Sequence, residues 1–218
     1  MTDSVIFDMD GVLFDTERLA TDAWYKAAQE MGIADISMGV KGCVGLNHND
    51  TLEFLAKCYG VGFLCEEFLD CASRAFKEMI EREGLPVKPG VYEILEFLKK
   101  NGFRTALATS TRKTGAMRHL ETAGITHYFD AIVTGDMIVH GKPDPEIYEL
   151  ACRKLGSVPE NCIAVEDSPN GIRSAYGAGI KTVMVPDLIE PDEELGKLLY
   201  RKFASLLELK EFLGDDVK

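Results

Sequence analysis

The sequence predicts an α/β protein, a parallel sheet alternating with helices, with an all-helical block inserted after the first strand. Three observations carry this. Apolar runs of strand length alternate with segments of helical period from Pro89 to Pro186. Strand, helix, strand, helix at this spacing makes βαβ units, whose strands run parallel. The first strand, Ser4 to Asp8, stands apart from the others, and no strand pattern appears between Thr16 and Gly84.

Each element has its own signal. Val5-Ile6-Phe7 is an uninterrupted apolar run, as for a strand buried on both faces. It ends in Asp8-Met9-Asp10-Gly11, a strand end followed by a sharp turn. From Thr16, Leu19, Ala23, Ala27 and Met31 recur at helical spacing until Gly32. Val40 to Asn49, with two glycines and polar residues, predicts a loop, and helices follow over Thr51–Tyr59 and Glu66–Arg82. Pro89-Gly90 then opens a helix with Val91, Ile94, Leu95 and Leu98 on one face, closed by Asn101-Gly102. Phe103–Thr109 is a strand, Lys113–Ala123 a helix and Ala131–Thr134 a strand. Asp144-Pro145 and Ser168-Pro169 each pair an N-cap residue with a first-turn proline, starting helices that end at Gly156 and near Ala178. Cys162–Val165 and Thr182–Val185 are strands, Glu190 to Glu194 an acidic turn, and Ser205–Leu213 a terminal helix. Residues 1–15 and 85–218 are thus the expected core, and 16–84 the expected helical insertion.

The 218 residues carry a formal net charge of −12, with 46% hydrophobic and 28% charged residues, a globular balance. Such acidity argues against sequence-independent nucleic-acid binding, which uses lysine and arginine at phosphates. No apolar run approaches the roughly 20 residues of a membrane span, and Met1-Thr2-Asp3-Ser4 lacks the start of a signal peptide. Six cysteines without a C-x-x-C pair read as reduced, mostly buried thiols of a cytoplasmic protein. No nucleic-acid or membrane partner is expected, and a monomer is.

Four segments carry chemistry. Asp8 and Asp10 bring two carboxylates close; at about 4 Å and an effective dielectric of about 20 they repel by roughly 4 kcal/mol, so a proton or a cation must relieve them. Thr109 and Ser110 put hydroxyls between a strand end and a helix start, where a phosphate can be held. Lys142 is set between Gly141 and Pro143, and Glu166-Asp167 follow a fully apolar strand. Each alone also fits an ordinary cap, turn or solvated side chain. Together, Asp8, Asp10, Glu166 and Asp167 form an oxygen set suited to Mg²⁺, with Lys142 and Thr109 complementary to an anion. A carboxylate nucleophile, a divalent cation and a lysine are what phosphoryl transfer to aspartate requires.

The D-M-D-G-V-L-F-D-T, T-S-T, G-K-P-D-P and E-D-S-P-N-G segments, in this order, resemble the four motifs of the haloacid dehalogenase superfamily across essentially the whole chain. The helical insertion resembles the first-type cap of its beta-phosphoglucomutase-like and phosphoglycolate-phosphatase-like branch. The resemblance implies a Rossmann-like core with a mobile helical cap. It implies Asp8 as the nucleophile forming an aspartyl-phosphate and Asp10 as general acid and then base. It implies phosphoryl binding by Thr109, Ser110 and Lys142, and Mg²⁺ held by Asp8, the Asp10 backbone carbonyl and Asp167, with Glu166 in or near the shell. The expected activity is a Mg²⁺-dependent phosphatase of a small phosphorylated metabolite, a sugar phosphate or nucleoside monophosphate. A sugar phosphate mutase is the alternative, and a non-catalytic metal or phospho-ligand module a third reading. Ala20 and His48 stand where the mutases of this branch carry a histidine and an arginine, which favours hydrolysis. Asn47 and His48 are the expected substrate-reading residues, while His119 and His127 are expected at the surface.

Overall fold

The computed structural model describes residues 2–44, 46, 48–60 and 62–216. The chain forms two compact units, Met1–Phe14 with Val87–Lys218, and Asp15–Pro86. β1 (Ser4–Phe7) opens the larger unit and is buried along its whole length. A tight turn follows: the Leu13 and Phe14 N–H groups donate to the Met9 carbonyl at 2.8 and 3.1 Å, and Gly11 N–H to the Phe14 carbonyl at 2.9 Å. Gly11 has φ +79°, a conformation that side chains with a Cβ rarely adopt.

The smaller unit is helical: α1 (Thr16–Glu30), α2 (Ser37–Gly42), α3 (His48–Tyr59) and α4 (Cys65–Glu83). α1 lies along α4, and their small residues Ala27, Ala28, Cys71 and Ala72 join Ile36, Leu55 and Phe68 in one core. Trp24 meets Phe68 edge-on, ring centroids 5.2 Å apart. α2 and the start of α3 take up the two ends of the loop expected from Val40 to Asn49. Gly39 and Gly42 serve close packing more than turning. A Cβ on Gly42 would stand 1.9 Å from Phe54 Cζ, and the Gly39 N–H donates to the Tyr59 hydroxyl at 2.9 Å.

The larger unit resumes with α5 (Val91–Lys100), β2 (Arg104–Thr109), α6 (Lys113–Thr122), β3 (Ala131–Thr134), α7 (Glu146–Leu155), β4 (Cys162–Glu166), α8 (Pro169–Gly177) and β5 (Lys181–Met184). It ends with α9 (Glu193–Gly196), β6 (Arg201–Lys202) and α10 (Leu206–Asp216). Among the described residues the strands form one parallel sheet in the order β3-β2-β1-β4-β5-β6. This is the Rossmann-like arrangement, with β1 at the centre.

α7 covers one face. Ile147, Tyr148, Ala151 and Cys152 pack onto Ile6, Ala106, Ala108, Val133 and Ala164, small strand residues that let the helix come close. Ser168 caps α8 as its sequence predicts, accepting from the Gly171 N–H at 3.1 Å. The acidic turn expected at Glu190–Glu194 instead runs into α9, because Asp192 accepts from the Leu195 N–H at 2.7 Å and Leu195 is buried. Lys88 Nζ lies 2.6 Å from Asp187 Oδ1, whose side chain is only 1% exposed, so the returning chain is fastened beyond β5. All six cysteines are free. No described helix is long and apolar enough to cross a membrane.

Candidate active site

The register of the sheet assembles the site. Phe7 pairs with Leu107 on one side and Val165 on the other, so the residues that follow β1, β2 and β4 leave one edge together. That is the carboxyl edge, where open α/β sheets place their ligands. Asp8 extends the pairing, its N–H donating to the Val165 carbonyl at 3.0 Å.

Lys142 organises this edge. Its Nζ donates to Asp8 Oδ1 at 2.5 Å, Glu166 Oε1 at 2.6 Å and the Ala108 carbonyl at 3.1 Å. An ammonium has three donors, and three acceptors fix it here from β1, β2 and β4. The amine also lies 5.2 Å from the centroid of the Tyr148 ring, a cation–π distance.

Glu166 is fully buried. Its Oε1 accepts from Lys142 and from the Tyr148 hydroxyl at 2.6 Å. Its Oε2 accepts from the Ser168 hydroxyl at 3.1 Å and from the Asp167 and Ser168 N–H groups at 3.2 and 3.4 Å. Burial, then the Glu166 charge, pushes the Tyr148 pKa well above that of an ordinary tyrosine, so the phenol stays a donor. Tyr148 and Thr111, described below, are contacts that motif reading missed. The available signal for Tyr148 was a polar-tipped residue on the apolar face of a helix.

Electrostatics mark the site as short of positive charge. Burial pushes the Asp8 carboxyl up to about 8, against the pull of Lys142 and with Glu166 and Asp10 adding to the rise. Lys142 is raised despite its burial, by Asp8 and Glu166. Three clustered acids, Asp8, Glu166 and Asp167, thus share this edge with one ammonium. Asp8, Glu166 and Asp167 each offer an oxygen within 4.8 Å of the others, a donor set for a hard cation. Gly11 leaves room for the Asp167 carboxylate: a Cβ there would stand 2.2 Å from Asp167 Oδ2.

The other expected residues are placed as follows. Thr109 is buried, and its hydroxyl accepts from the Thr111 N–H at 3.0 Å. Ser110 beside it is exposed. The Asp10 side chain lies outside the clustered carboxylates, its Oδ2 accepting from the Thr111 hydroxyl at 2.8 Å. Asn47 lies outside the described residues. His48 heads α3 in the helical unit, exposed, with Nε2 3.5 Å from Glu66 Oε2. His119 corrects the surface expectation: it is buried, edge-on to Phe14 with centroids 5.9 Å apart. Burial lowers its pKa, with Asp10 opposing. A second group, His140, Asp144 and Glu146, also clusters, but it closes the loop. Glu146 accepts from the Val139 and His140 N–H groups at 3.0 and 2.8 Å.

The chain matches the model of the haloacid dehalogenase-like hydrolases over residues 5–185. It belongs to this family. A phosphorylated carbohydrates phosphatase from Thermotoga maritima is 37% identical over 181 residues, covering 83% of each chain. Among solved structures, a beta-phosphoglucomutase from Clostridium difficile superposes with a TM-score of 0.79 at 26% identity, covering 100% of this chain and 97% of that one. CbbY from Rhodobacter sphaeroides, in complex with xylulose-(1,5)bisphosphate, superposes with a TM-score of 0.80 at 26% identity, covering 96% of each. As a haloacid dehalogenase-like hydrolase, the protein is an enzyme, and the edge around Asp8 is where its family motifs converge.

Space in this site is set by glycine as well as by charge. A Cβ on Gly171 in α8 would stand 2.0 Å from Glu166 Cδ. Gly171→Ala gains about 1 kcal/mol of helix propensity, yet overpacking commonly costs about 1–3 kcal/mol. We expect a net loss of stability in urea unfolding, with a fall in activity because Glu166 must move off Lys142.

Proposed function

We propose that the protein is a Mg²⁺-dependent phosphatase of a small phosphorylated metabolite, working through an aspartyl-phosphate on Asp8. The observation that carries this is the Lys142 amine bridging Asp8 and Glu166 at the carboxyl edge of the sheet. The phosphatase name of the Thermotoga relative supports the reaction class.

Asp8 is the nucleophile. One carboxylate oxygen attacks phosphorus, the ester P–O bond breaks, and its electron pair goes to the leaving oxygen, which takes a proton from Asp10. Asp10, now a carboxylate, takes a proton from water as the water oxygen attacks the phosphoryl group. The P–O bond to Asp8 then breaks, releasing inorganic phosphate. Thr109, Ser110 and Lys142 bind the phosphoryl oxygens. Lys142 is pinned beside the atom where negative charge is handled, so little reorganisation is needed when that charge develops.

The clustered oxygens and the raised Asp8 carboxyl fit a divalent cation. Asp8, Asp167 and the Asp10 carbonyl would hold it. When bound, it would neutralise carboxylate charge that otherwise repels the phosphate and stabilise charge on the phosphoryl group. Glu166 is assigned to holding Lys142 rather than to the metal, since both its oxygens already accept from several donors. His48, exposed on the helical unit, is the candidate for reading the substrate.

The test is a panel of sugar phosphates, polyol phosphates and nucleoside monophosphates with Mg²⁺, measuring released phosphate. Hydrolysis of at least one class, lost on chelation, is expected. The likeness to a beta-phosphoglucomutase structure favours a second reading: glucose 6-phosphate appearing from β-glucose 1-phosphate faster than free phosphate would decide for a mutase. No turnover on any ester would leave a binding module.

A further inference from the structure

We infer that Thr111 is a positioning residue that aims the Asp10 carboxyl for proton delivery to the leaving group. The inference rests on the proposed roles of Asp8 and Asp10. Its basis is a hydrogen bond between residues 101 apart in the chain, from Thr111 Oγ1 to Asp10 Oδ2 at 2.8 Å.

Thr111 is itself held at both its backbone N–H and its carbonyl. Its N–H donates to Thr109 Oγ1 at 3.0 Å, and its carbonyl accepts from the Gly135 N–H at 3.2 Å. Its Cγ2 methyl lies 3.0 Å from where a Cβ on Gly115 would stand. With the backbone fixed and the methyl on the side of Gly115, the hydroxyl is directed toward Asp10. The Asp10 backbone is fixed by the Met9–Phe14 turn, but a half-exposed aspartate side chain can occupy several staggered wells. The hydroxyl selects one of them. It can donate to Oδ2 whether Asp10 is a carboxylate or a neutral acid, because Oδ2 is an acceptor in both. The transferable proton then sits on Oδ1. As Asp8 bonds to phosphorus and the ester P–O bond breaks, that proton passes to the leaving oxygen, giving the free alcohol and an Asp10 carboxylate. Thr111 touches neither phosphorus nor proton and acts only through Asp10.

Leaving-group dependence separates this from packing. kcat/KM reports the steps up to aspartyl-phosphate formation. An alkyl alcohol needs a proton to leave, whereas p-nitrophenolate does not. The experiment measures kcat/KM with Mg²⁺ for the alkyl phosphate the wild type hydrolyses best and for p-nitrophenyl phosphate. It uses the wild type, Thr111→Val, Thr111→Ser and Asp10→Asn, with folding checked by circular dichroism. Thr111→Val is expected to lose about tenfold or more on the alkyl ester and less than about twofold on p-nitrophenyl phosphate, the scale of one lost charge-assisted hydrogen bond. Thr111→Ser is expected to restore both. Should Thr111→Val fail to fold, Thr111→Ala gives the same comparison.

Equal losses on both esters, no loss on either, or no rescue by serine would overturn the assignment while leaving Asp10 in its role. If Asp10→Asn itself shows no preference for the nitrophenyl ester, the acid role of Asp10 fails, and the assignment of Thr111 falls with it.

Discussion

Asp8→Asn is expected to abolish phosphate release, by at least about 10⁴-fold, the scale on which loss of a nucleophile is felt, while the fold survives. The two halves of this expectation have separate causes. An amide oxygen is not a competent nucleophile toward phosphorus, so no aspartyl-phosphate forms. It remains a good acceptor, and the introduced amide can still receive the Lys142 hydrogen bond now made by Asp8 Oδ1. The substitution also removes one of the carboxyls that crowd this edge, a group that burial already pushes toward neutrality. Stability in metal-free buffer is therefore expected to stay level or rise slightly. Phosphate release with Mg²⁺, alongside thermal melts in chelator, checks both. Activity within about tenfold of the wild type would reject covalent catalysis at Asp8.

Much of this site was legible in the sequence, for a geometrical reason. In a parallel sheet, a residue that ends one buried strand lies beside the residue that ends the next. Apolar runs ending in Asp8, Thr109 and Glu166-Asp167 therefore imply a shared edge on sequence grounds alone. Lys142 was legible only as a charge in a constrained loop, and its three acceptors come from three strands that sequence spacing cannot relate. The misses follow the same division. α2 was hidden because Gly39 and Gly42 carry the composition of a loop but the packing of a tight helix contact. β6 spans two exposed residues, too short for any period to show. His119 looked like a surface residue because nothing local shows that Phe14 covers it. Tyr148 and Thr111 act through partners 18 and 101 residues away, distances at which periodicity says nothing.

Lys142→Met carries the second large effect, and its dependence on pH identifies the cause. Catalytically, the variant loses the cation beside the phosphoryl group, worth about 10²–10³-fold in kcat/KM by analogy with single charge-stabilising donors. Lys142→Arg should not rescue it, since a planar guanidinium cannot meet three acceptors disposed around one ammonium. Structurally, methionine keeps an unbranched side chain in place of the lysine stem but leaves Asp8 and Glu166 without their counter-ion. Breaking a buried pair from one side typically costs about 3–5 kcal/mol. The wild-type Asp8 carboxyl is already raised from 3.8 to about 8, and without the amine it rises further. A carboxyl raised in the folded state binds more protons there than in the unfolded chain. Its stabilising share is complete below the unfolded value and is lost as pH climbs toward the folded one. The variant should therefore keep a level gap to the wild type between about pH 5 and 7, where folded Asp8 is protonated in both, and fall further behind as pH climbs past about 8, where only the wild type stops losing stability. Urea unfolding of both proteins in chelator from about pH 5 to 9 measures the gap. A gap that stayed constant, or narrowed as pH rose, would show that the ammonium does not compensate these buried acids, and the charge argument for the whole edge would have to be rebuilt.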